Sequence, residues 1–220
     1  MKIVDPGYDI LTKISEGGLE ELQAIERAAR TCYKSEGRTA ADGSSARRMV
    51  RQLAFRGHEA MLEHGGMSVK FTCDRGVSHE LVRHRMASFA QESTRYCNYG
   101  KESFGHEITV IRPVWEEDSE IYKLWRSTML VCEDAYFEML ELGYSAQEAR
   151  CVLPNSLKTE VVVTANWREW RHIFRLRCAE DAHPEMRRLM LPLWQEMRER
   201  IPELFDDCCV RSSGEAGVGA

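Results

Sequence analysis

The chain has 220 residues, of which 43% are hydrophobic and 30% are charged. Such a composition is that of an ordinary globular protein and excludes a disordered chain. The 35 acidic residues outnumber the 30 basic ones, so a surface that is cationic throughout is also excluded, and any anion site must be local.

The N-terminal segment reads "MKIVDPGYDI" and predicts no leader. Asp5 and Pro6 stand where a signal peptide has an unbroken apolar run, and no stretch reaches the roughly 18 apolar residues of a membrane span. We therefore expect a cytoplasmic protein. The eight cysteines fit this expectation, because they are scattered without a CxxC pair. Their spacing indicates reduced, mostly buried thiols rather than a disulfide framework or zinc ligands.

The first half of the chain predicts a loop, a helix and a strand, in that order. Residues 34–46 are polar and contain glycine, and Ser44 or Ser45 is expected to cap the helix that follows. That helix carries an apolar stripe at three-to-four spacing that ends at Met61. The segment "MSVKFTCD" then alternates strictly between apolar and polar residues, which predicts a strand with one buried face.

The next segment, "VSHELVRHRMASF", returns to helical spacing and predicts a helix. Its continuation, "SFAQESTRY", has no clean period and predicts a loop that offers the amide of Gln91, the hydroxyl of Ser93 and the guanidinium of Arg95. An amide, a hydroxyl and a forked cation together suit a phosphate and a planar heterocycle. The alternative is that Arg83 and Arg85 merely complement a helix C-terminus.

The second half predicts four helices and one strand. Residues 119–142 form a long amphipathic helix, and "SAQEARCVL" is a short helix with a capping-box pattern. The β-branched segment 158–166 is a strand, and two helices follow it, "WREWRHIFRLRC" and "PEMRRLMLPLWQEMRER". Helices outnumber strands without βαβ alternation, so we predict a helix-rich α+β fold with a small antiparallel or mixed sheet. We expect one domain over 1–210 and a disordered tail over 211–220.

Two further clusters carry chemistry, each with a plain structural alternative. In "HEAMLEH", Glu59 and Glu63 share a face that would suit a metal, but no further ligand has matching spacing, so a solvated or capping cluster is preferred and no metal is expected. In "NWREWRHIFRLRC", the spacing gives one basic helical face, made of Arg168, Arg171 and Arg175. Arg177 falls on the apolar side, where an arginine either reaches the surface or points into a pocket to stabilise negative charge.

These segments together resemble the flavin-dependent thymidylate synthase family. The family's signature is similar to "RHRMASFAQES", which is arginine, histidine, arginine, seven residues and serine. The resemblance covers nearly the whole chain, because "IERAARTCYKSE", "GHEAMLEH", "ARCVLPNSLKTE" and "ANWREWRHIFRLRC" also match the family in the right order. A single short signature has little specificity, whereas five matching segments in the right order are highly specific.

The resemblance implies an enzyme that methylates dUMP to dTMP. Members of the family take the carbon from 5,10-methylenetetrahydrofolate and the hydride from FAD that NADPH has reduced, and they release tetrahydrofolate. They adopt an α+β fold and work as homotetramers with sites formed between subunits. The resemblance implies no active-site cysteine. The acidic net charge predicts no nucleic-acid partner, and the absence of a long apolar stretch predicts no membrane partner.

The family's functional positions are carried over only where the motifs match. For dUMP, the resemblance implies Glu80, Leu81, Val82, Arg83, Gln91, Glu92, Ser93, Thr94, Arg95, Arg150 and Arg177. For FAD, it implies Ala60, Glu63, Arg83, His84, Arg85, Gln91, Asn166, Arg168 and His172. Within these sets, Ser93 and Arg95 would lie near the phosphate. Arg177 would lie beside the uracil and favour its ionised N3, which makes Arg177 the catalytic candidate.

Two positions depart from the family, and two rival functions stay open. Glu80 and His172 stand where some relatives carry glutamine and asparagine, so we expect Glu80 to contact sugar or base and His172 to donate to the flavin. Cys97, the cysteine nearest the signature, is interpreted as structural. One rival is a nucleic-acid-binding module built on the arginine- and tryptophan-rich helix, against which the acidic net charge argues. The other is a flavoprotein oxidase that has lost methylation, which forms no dTMP.

Overall fold

The computed structural model describes residues 1–209, which group into two compact units. The first unit comprises Met1–Thr12 and Ser68–Thr164, and the second comprises Lys13–Met67 and the described residues from Ala165 onward. The tail expected at 211–220 lies outside the described residues. The single domain expected over 1–210 stays a prediction.

Helices and short strands are interspersed along the chain, and the strands form two small sheets. The strands are β1 (Lys2–Val4), β2 (Gly7–Ile10), β3 (Gly66–Asp74), β4 (Ala87–Gln91), β5 (Thr109–Ile111) and β6 (Lys158–Asn166). The helices are α1 (Leu19–Thr31), α2 (Ser44–Phe55), α3 (Arg75–Leu81), α4 (Glu120–Glu141), α5 (Ala146–Ala149), α6 (Trp167–Arg177), α7 (Pro184–Arg200) and α8 (Pro202–Phe205). The mixture confirms the α+β class. Within residues 1–209, no helix combines the length and the apolar character needed to cross a membrane.

The first unit is built on a four-stranded sheet with the strand order β2–β3–β6–β4. Strands β2 and β3 are antiparallel, with Tyr8 opposite Phe71. Along β3, Val69, Phe71 and Cys73 are buried and alternate with partly exposed polar residues. This is the arrangement that strict alternation predicts for a strand with one covered face. Strands β1 and β5 form a separate parallel pair.

Helix α4 supplies much of the apolar core of the first unit. Ser119 caps the helix, because its Oγ accepts a hydrogen bond at 3.3 Å from the backbone N–H one turn on. The face of α4 that carries Trp125, Met129 and Tyr136 is buried and packs with Leu157, which directly precedes β6. The polar edge of the Trp125 ring is satisfied by a side-chain hydroxyl at 3.0 Å.

The second unit consists of α1, α2, α6, α7 and α8, and its core is aromatic. Trp167, Trp170 and Phe174 on α6 are buried. Phe205 of α8 meets Phe174 edge to face, with the ring centroids 5.4 Å apart. Because one side of α6 is committed to this core, its arginines are confined to the remaining sides.

The backbone of the second unit approaches itself closely at Gly66. A Cβ atom at this position would lie 2.2 Å from Ala165 O and 2.8 Å from Asn166 Cα. Since backbone atoms fill that space, glycine is the residue that fits. The close approach holds the first residue of β3 beside the last residues of β6, from which α6 begins.

Most of the predicted elements are confirmed close to their predicted bounds, namely β3, α4, α5, β6, α6 and α7. The helix predicted to reach Met61 is wrong at its C-terminal end, because α2 ends at Phe55 and Met61 lies in the separate 3-10 turn Glu59–Glu63. The prediction of a helix continuing to Met86 is wrong, because α3 ends at Leu81 and the chain turns to join the sheet as β4. Met86, expected on an apolar helix face, is 73% exposed. The loop predicted after Ser88 therefore begins only after Gln91.

The cap predicted for α2 is also wrong. Gly43 is the N-cap residue, in a left-handed conformation with φ of 76°, and Ser44 is the first helical residue. A carboxylate takes the capping role, because Asp42 Oδ1 accepts hydrogen bonds from Ser44 N at 3.0 Å and from Ser44 Oγ at 2.7 Å.

Candidate active site

In the first unit, the arginine-rich segment forms a tight turn between α3 and β4. Its amides bond three residues back, with Arg83 N 3.2 Å from Glu80 O and His84 N 3.1 Å from Leu81 O. His84 is buried, whereas Arg83 and Arg85 on either side of it are exposed. A turn that anchors its middle residue in the interior leaves both flanking cations at the surface.

Three of the sequence-predicted arginines in the first unit carry unneutralised charge. Among residues 1–209, the side chains of Arg83, Arg85 and Arg150 make no ion pair or hydrogen bond. Arg150 is exposed at the start of the 3-10 turn that follows α5. An exposed guanidinium without a carboxylate partner keeps its full fork of donors for an anionic ligand.

The amide of Gln91, the last residue of β4, is held in one orientation. Its Nε2 donates to Ser78 Oγ at 2.8 Å and to Thr159 Oγ1 at 3.3 Å. Ser78 belongs to α3 and Thr159 to β6, so the neighbouring helix and strand both fix this side chain. With Nε2 so engaged, the carbonyl Oε1 is the atom that Gln91 presents as an acceptor.

Glu92 lies next in the chain and is tied to the fold. Its carboxylate accepts a hydrogen bond from Lys158 Nζ at 3.0 Å and from the Tyr99 hydroxyl at 3.3 Å. Burial, together with the negative charge of Glu92, raises the pKa of Tyr99. Glu92 therefore anchors the start of the loop to β6 through its side chain.

The loop after β4 closes on Ser93. The backbone N–H groups of Tyr96 and Cys97 donate to Ser93 O at 3.1 and 2.9 Å. Arg95 N donates to Ser93 Oγ at 3.3 Å. The hydroxyl thus accepts one hydrogen bond and retains its own hydrogen, which is the polarity a phosphate oxygen requires.

Arg95 links this loop to α5. Its Nε donates to Gln147 Oε1 at 2.9 Å, and its guanidinium carbon lies 5.4 Å from the Tyr96 ring centroid. Gln147 stands one turn before Arg150 in the chain. The structure therefore brings the loop that carries Arg95 to the same short helix that Arg150 follows.

The other sequence-predicted residues of the first unit differ in exposure. Leu81 and Thr94 are buried, Val82 is exposed, and Glu80 is half-buried. Leu81 and Thr94 can therefore reach a ligand through their backbone rather than through their side chains. Cys97 is half-buried, and burial and the charge of Glu92 raise the pKa of its thiol, which disfavours the nucleophilic thiolate.

In the second unit, two residues implied for FAD form an ion pair. Arg168 Nη1 lies 2.6 Å from Glu63 Oε1, and both side chains are largely open to solvent. Glu63 ends a short 3-10 turn, Glu59–Glu63, in which Ala60 is exposed. The pair joins this turn to the first turn of α6.

Asn166 and His172 also belong to α6 or its cap. Asn166 is the N-cap residue, and its Oδ1 accepts a hydrogen bond from Glu169 N at 2.8 Å. Since the cap uses the carbonyl oxygen, the amide nitrogen of Asn166 is the group that can donate to a ligand. His172 is exposed one and a half turns further on.

The basic face predicted on α6 is an internal ion-pair network. The side chain of Arg171 is fully buried and donates to both carboxylate oxygens of Asp207, at 2.7 and 2.8 Å, and to Glu59 Oε1 at 3.2 Å. It also donates to Leu204 O. Arg175 reaches the same Glu59 oxygen at 3.1 Å. Burial raises the pKa of Asp207, but hydrogen bonds from Arg171 outweigh it and hold that pKa below its ordinary value.

This network weakens two alternatives considered from the sequence. Glu59 and Glu63, whose spacing would suit a metal, are held by guanidinium groups of α6 instead. The arginines that would grip nucleic acid face carboxylates of their own unit, so their charge is already neutralised. Arg177, the last residue of α6, is half-buried.

The sequence reasoning missed three residues that orient the first unit's candidates: Ser78, Thr159 and Gln147. For Thr159 a signal existed, because alternation along β6 places it on the buried side of the strand. For Ser78 and Gln147 the contact depends on tertiary pairing, which no local pattern reports.

Comparisons with known proteins agree on one family. The family model described as thymidylate synthase complementing protein matches residues 18–203. A flavin-dependent thymidylate synthase of Geobacter sulfurreducens is 34% identical over 189 residues, covering 84% of this chain and 80% of the relative. A flavin-dependent thymidylate synthase of Corynebacterium aurimucosum is 33% identical over 214 residues, covering 89% of this chain and 83% of the relative.

Among solved structures, the fold is similar to that of a UMP/dUMP methylase from Streptomyces cacaoi bound to 5-Br dUMP. The TM-score is 0.75 and the sequence identity is 20%, over 94% of this chain and 96% of the other. At this level of identity the likeness concerns the fold alone.

Proposed function

The chain belongs to the flavin-dependent thymidylate synthase family, and from that premise we propose that it converts dUMP to dTMP by reductive methylation. The methyl carbon comes from 5,10-methylenetetrahydrofolate, and tetrahydrofolate is released. FAD reduced by NADPH supplies the hydride when it is bound. The working unit we propose is a homotetramer.

One observation carries the proposal, namely that the exposed Arg83, Arg85 and Arg150 of the first unit, which the signature and its neighbouring motif supply, lack a partner within the described chain. The protein is net acidic, yet Arg83, Arg85 and Arg150 stay unneutralised. An exposed guanidinium without a carboxylate partner gains most from an anion, so each of these residues favours a phosphate-bearing ligand. A nucleotide monophosphate is such a ligand.

The loop after β4 offers the remaining groups for dUMP. Arg95 and Ser93 would donate to the phosphate, and Arg150 would add a second cation. The amide of Gln91, fixed by Ser78 and Thr159, presents its carbonyl oxygen to a ring N–H or a sugar hydroxyl. Because the side chains of Gln91 and Arg95 are held by hydrogen bonds before the ligand arrives, little of their conformational entropy is lost on binding.

The residues of the second unit fit a flavin by their donor chemistry. Asn166 has an amide nitrogen left over from capping α6, Arg168 is half exposed although paired with Glu63, and His172 is exposed. Amide, guanidinium and imidazole donors match the acceptor-rich rim of an isoalloxazine and a diphosphate. In the first unit, Arg83 and Arg85 would add charge for the diphosphate.

Arg177 would act on the pyrimidine. A guanidinium beside N3 favours loss of the N3 proton and stabilises the negative charge that spreads over the ring, which makes C5 a better nucleophile. Activation by a cation in this way needs no covalent attachment of a thiol. The reaction we propose therefore uses no cysteine nucleophile.

Separate assays of an Arg177→Ala variant test this function. We expect dTMP formation to collapse while the bound flavin is retained, because Arg177 is assigned to the pyrimidine. Arg126→Ala, at an exposed arginine of α4, serves as the control and should keep both dTMP formation and the bound flavin. Near-normal turnover in Arg177→Ala would contradict the assigned role.

Measurement of the product distinguishes the proposed synthase from the alternative, a flavoprotein oxidase. NADPH oxidation is followed with and without dUMP and methylenetetrahydrofolate, and dTMP is measured by chromatography. We expect dTMP only when both are present. Oxidation of NADPH that never yields dTMP would favour the oxidase.

A further inference from the structure

Two cysteines meet at the C-terminal end of α6. Cys178 N donates to Phe174 O at 2.9 Å, and Cys209 Sγ donates to the same oxygen at 3.5 Å. The Cys178 thiol also hydrogen bonds with Cys209. The two sulfur atoms are therefore neighbours, although α7 and α8 separate the residues along the chain.

The two thiols differ in ionisation and in exposure. The hydrogen bond between them raises the pKa of Cys178, the donor, and lowers the pKa of Cys209, which Arg175 lowers further. Cys178 is buried, whereas Cys209 is half-buried. A reachable thiol of lowered pKa beside a buried partner is the arrangement found where one cysteine meets an oxidant and a second resolves it.

We propose that Cys209 and Cys178 form a reversible disulfide when the protein meets a hydroperoxide, which makes this end of α6 a redox modification site. Neither cysteine is among the residues assigned to dUMP or FAD. Cys178 nevertheless directly follows Arg177, so the bond would fasten the end of α6 that carries the catalytic candidate to the segment after α8.

The chemistry balances as follows. The Cys209 thiolate attacks the peroxide, the O–O bond breaks, and a sulfenic acid and hydroxide form; the hydroxide takes a proton to become water. The Cys178 sulfur then attacks the Cys209 sulfur, the S–O bond breaks, and the leaving hydroxide takes the Cys178 proton. Two thiols lose two electrons, and one hydroperoxide is reduced.

Cys208 is the wrong partner for either thiol. It is buried, its Sγ lies 3.7 Å from Leu204 O, and burial raises the pKa of its thiol to about 12. It is also adjacent to Cys209 in the chain, where a disulfide requires a strained ring. Cys208 therefore provides the matched control.

Peptide mapping of the full chain after hydrogen peroxide tests the proposal. Trypsin places Cys178 in the peptide 178–187 and Cys209 in the peptide 201–211. We expect mild treatment, followed by alkylation, to remove two free thiols per chain and to link these peptides through a bond that dithiothreitol reverses. Circular dichroism before digestion verifies that each variant is folded.

The variants decide which sulfur atoms are involved. Cys208→Ser should keep the link, and Cys209→Ser should lose it. In Cys178→Ser, the Cys209 sulfur should proceed to sulfinic acid, because no thiol resolves the sulfenic acid. The proposal is overturned if the peptides stay unlinked at peroxide concentrations that oxidise the exposed Cys32 and Cys151, or if the link persists without Cys209.

Discussion

Two groups of arginines, one in each unit of the molecule, are used in opposite ways. In the first unit, Arg83, Arg85 and Arg150 are exposed and have no partner within residues 1–209. In the second, Arg171 is fully buried and holds Glu59 and Asp207. The difference shows that a run of basic residues indicates neither stability nor binding by itself. What decides is whether the fold has already supplied the carboxylates.

The largest effect should come from removing the buried cation. Arg171→Met should lower the free energy of unfolding by about 3 kcal/mol, because Glu59 and Asp207 lose the charge that offsets their desolvation. Urea unfolding followed by circular dichroism measures it. Arg198→Met, which breaks the exposed pair with Asp206, is the matched control, with an expected loss below about 1 kcal/mol. Equal losses would mean that the network on α6 does not stabilise the second unit.

Substituting an unpaired arginine of the first unit should change the activity of the enzyme rather than its stability. Arg150→Ala should lower kcat/KM for dUMP by about 30-fold, the loss expected for a charged hydrogen bond of about 2 kcal/mol. Its unfolding midpoint should stay that of the wild type, since no ion pair or side-chain hydrogen bond within residues 1–209 is lost. Steady-state kinetics with Arg126→Ala as the control separates a specific loss from a general change of surface charge. Equal kinetics in the two variants would contradict the conclusion that Arg150 binds the substrate.

The pH dependence of stability tests the ion pair of the second unit through its carboxylate, Asp207. The folded pKa of Asp207 lies below its ordinary value of 3.8, so its contribution is complete above that value and is lost as the pH falls through the folded pKa. Asp207→Asn should therefore destabilise the protein at pH 7, by at most about 1 kcal/mol since the side chain is half exposed. Thermal melts over a pH series should show the difference shrinking below about pH 4. A difference that is constant with pH would contradict the charge argument.

The smallest effect is expected at the cysteine nearest the signature. Cys97→Ser should leave turnover within about twofold of the wild type, as for a substitution without a mechanistic role. Cys132→Ser, at another half-buried cysteine, controls for general effects of thiol loss. A collapse of dTMP formation confined to Cys97→Ser would show that the reaction does need a thiol.

Local patterns predicted the long elements well and the signature segment poorly. Helix α4 and strand β6 lie where amphipathic spacing and β-branched residues indicate, because one face of each is buried along its whole length. Around Arg83 the helical spacing continues past the real end of α3, and pairing of β4 in the sheet overrides it. The exposed Met86 shows that the apolar residue there marked no core.

The role of each arginine in the ion-pair network of α6 could not be predicted from the sequence, because its partners are distant in the chain. The partners of Arg171 are 112 positions away at Glu59 and 36 positions away at Asp207. Helical spacing therefore predicted a basic face but not that the carboxylates would cover it. Motif resemblance predicts residues for dUMP and FAD, and those assignments stay predictions. Ser78 and Thr159, which orient Gln91, appear only once the helix and strand are packed.

The backbone contact at Gly66 has a consequence for how this gene can vary. Every missense change of a glycine codon adds at least a methyl group, and here that group would overlap a carbonyl oxygen. In a library of all single substitutions selected for thymidine-independent growth, the codon for residue 66 should be among the least tolerant, whereas the open position Gly37 should accept many replacements.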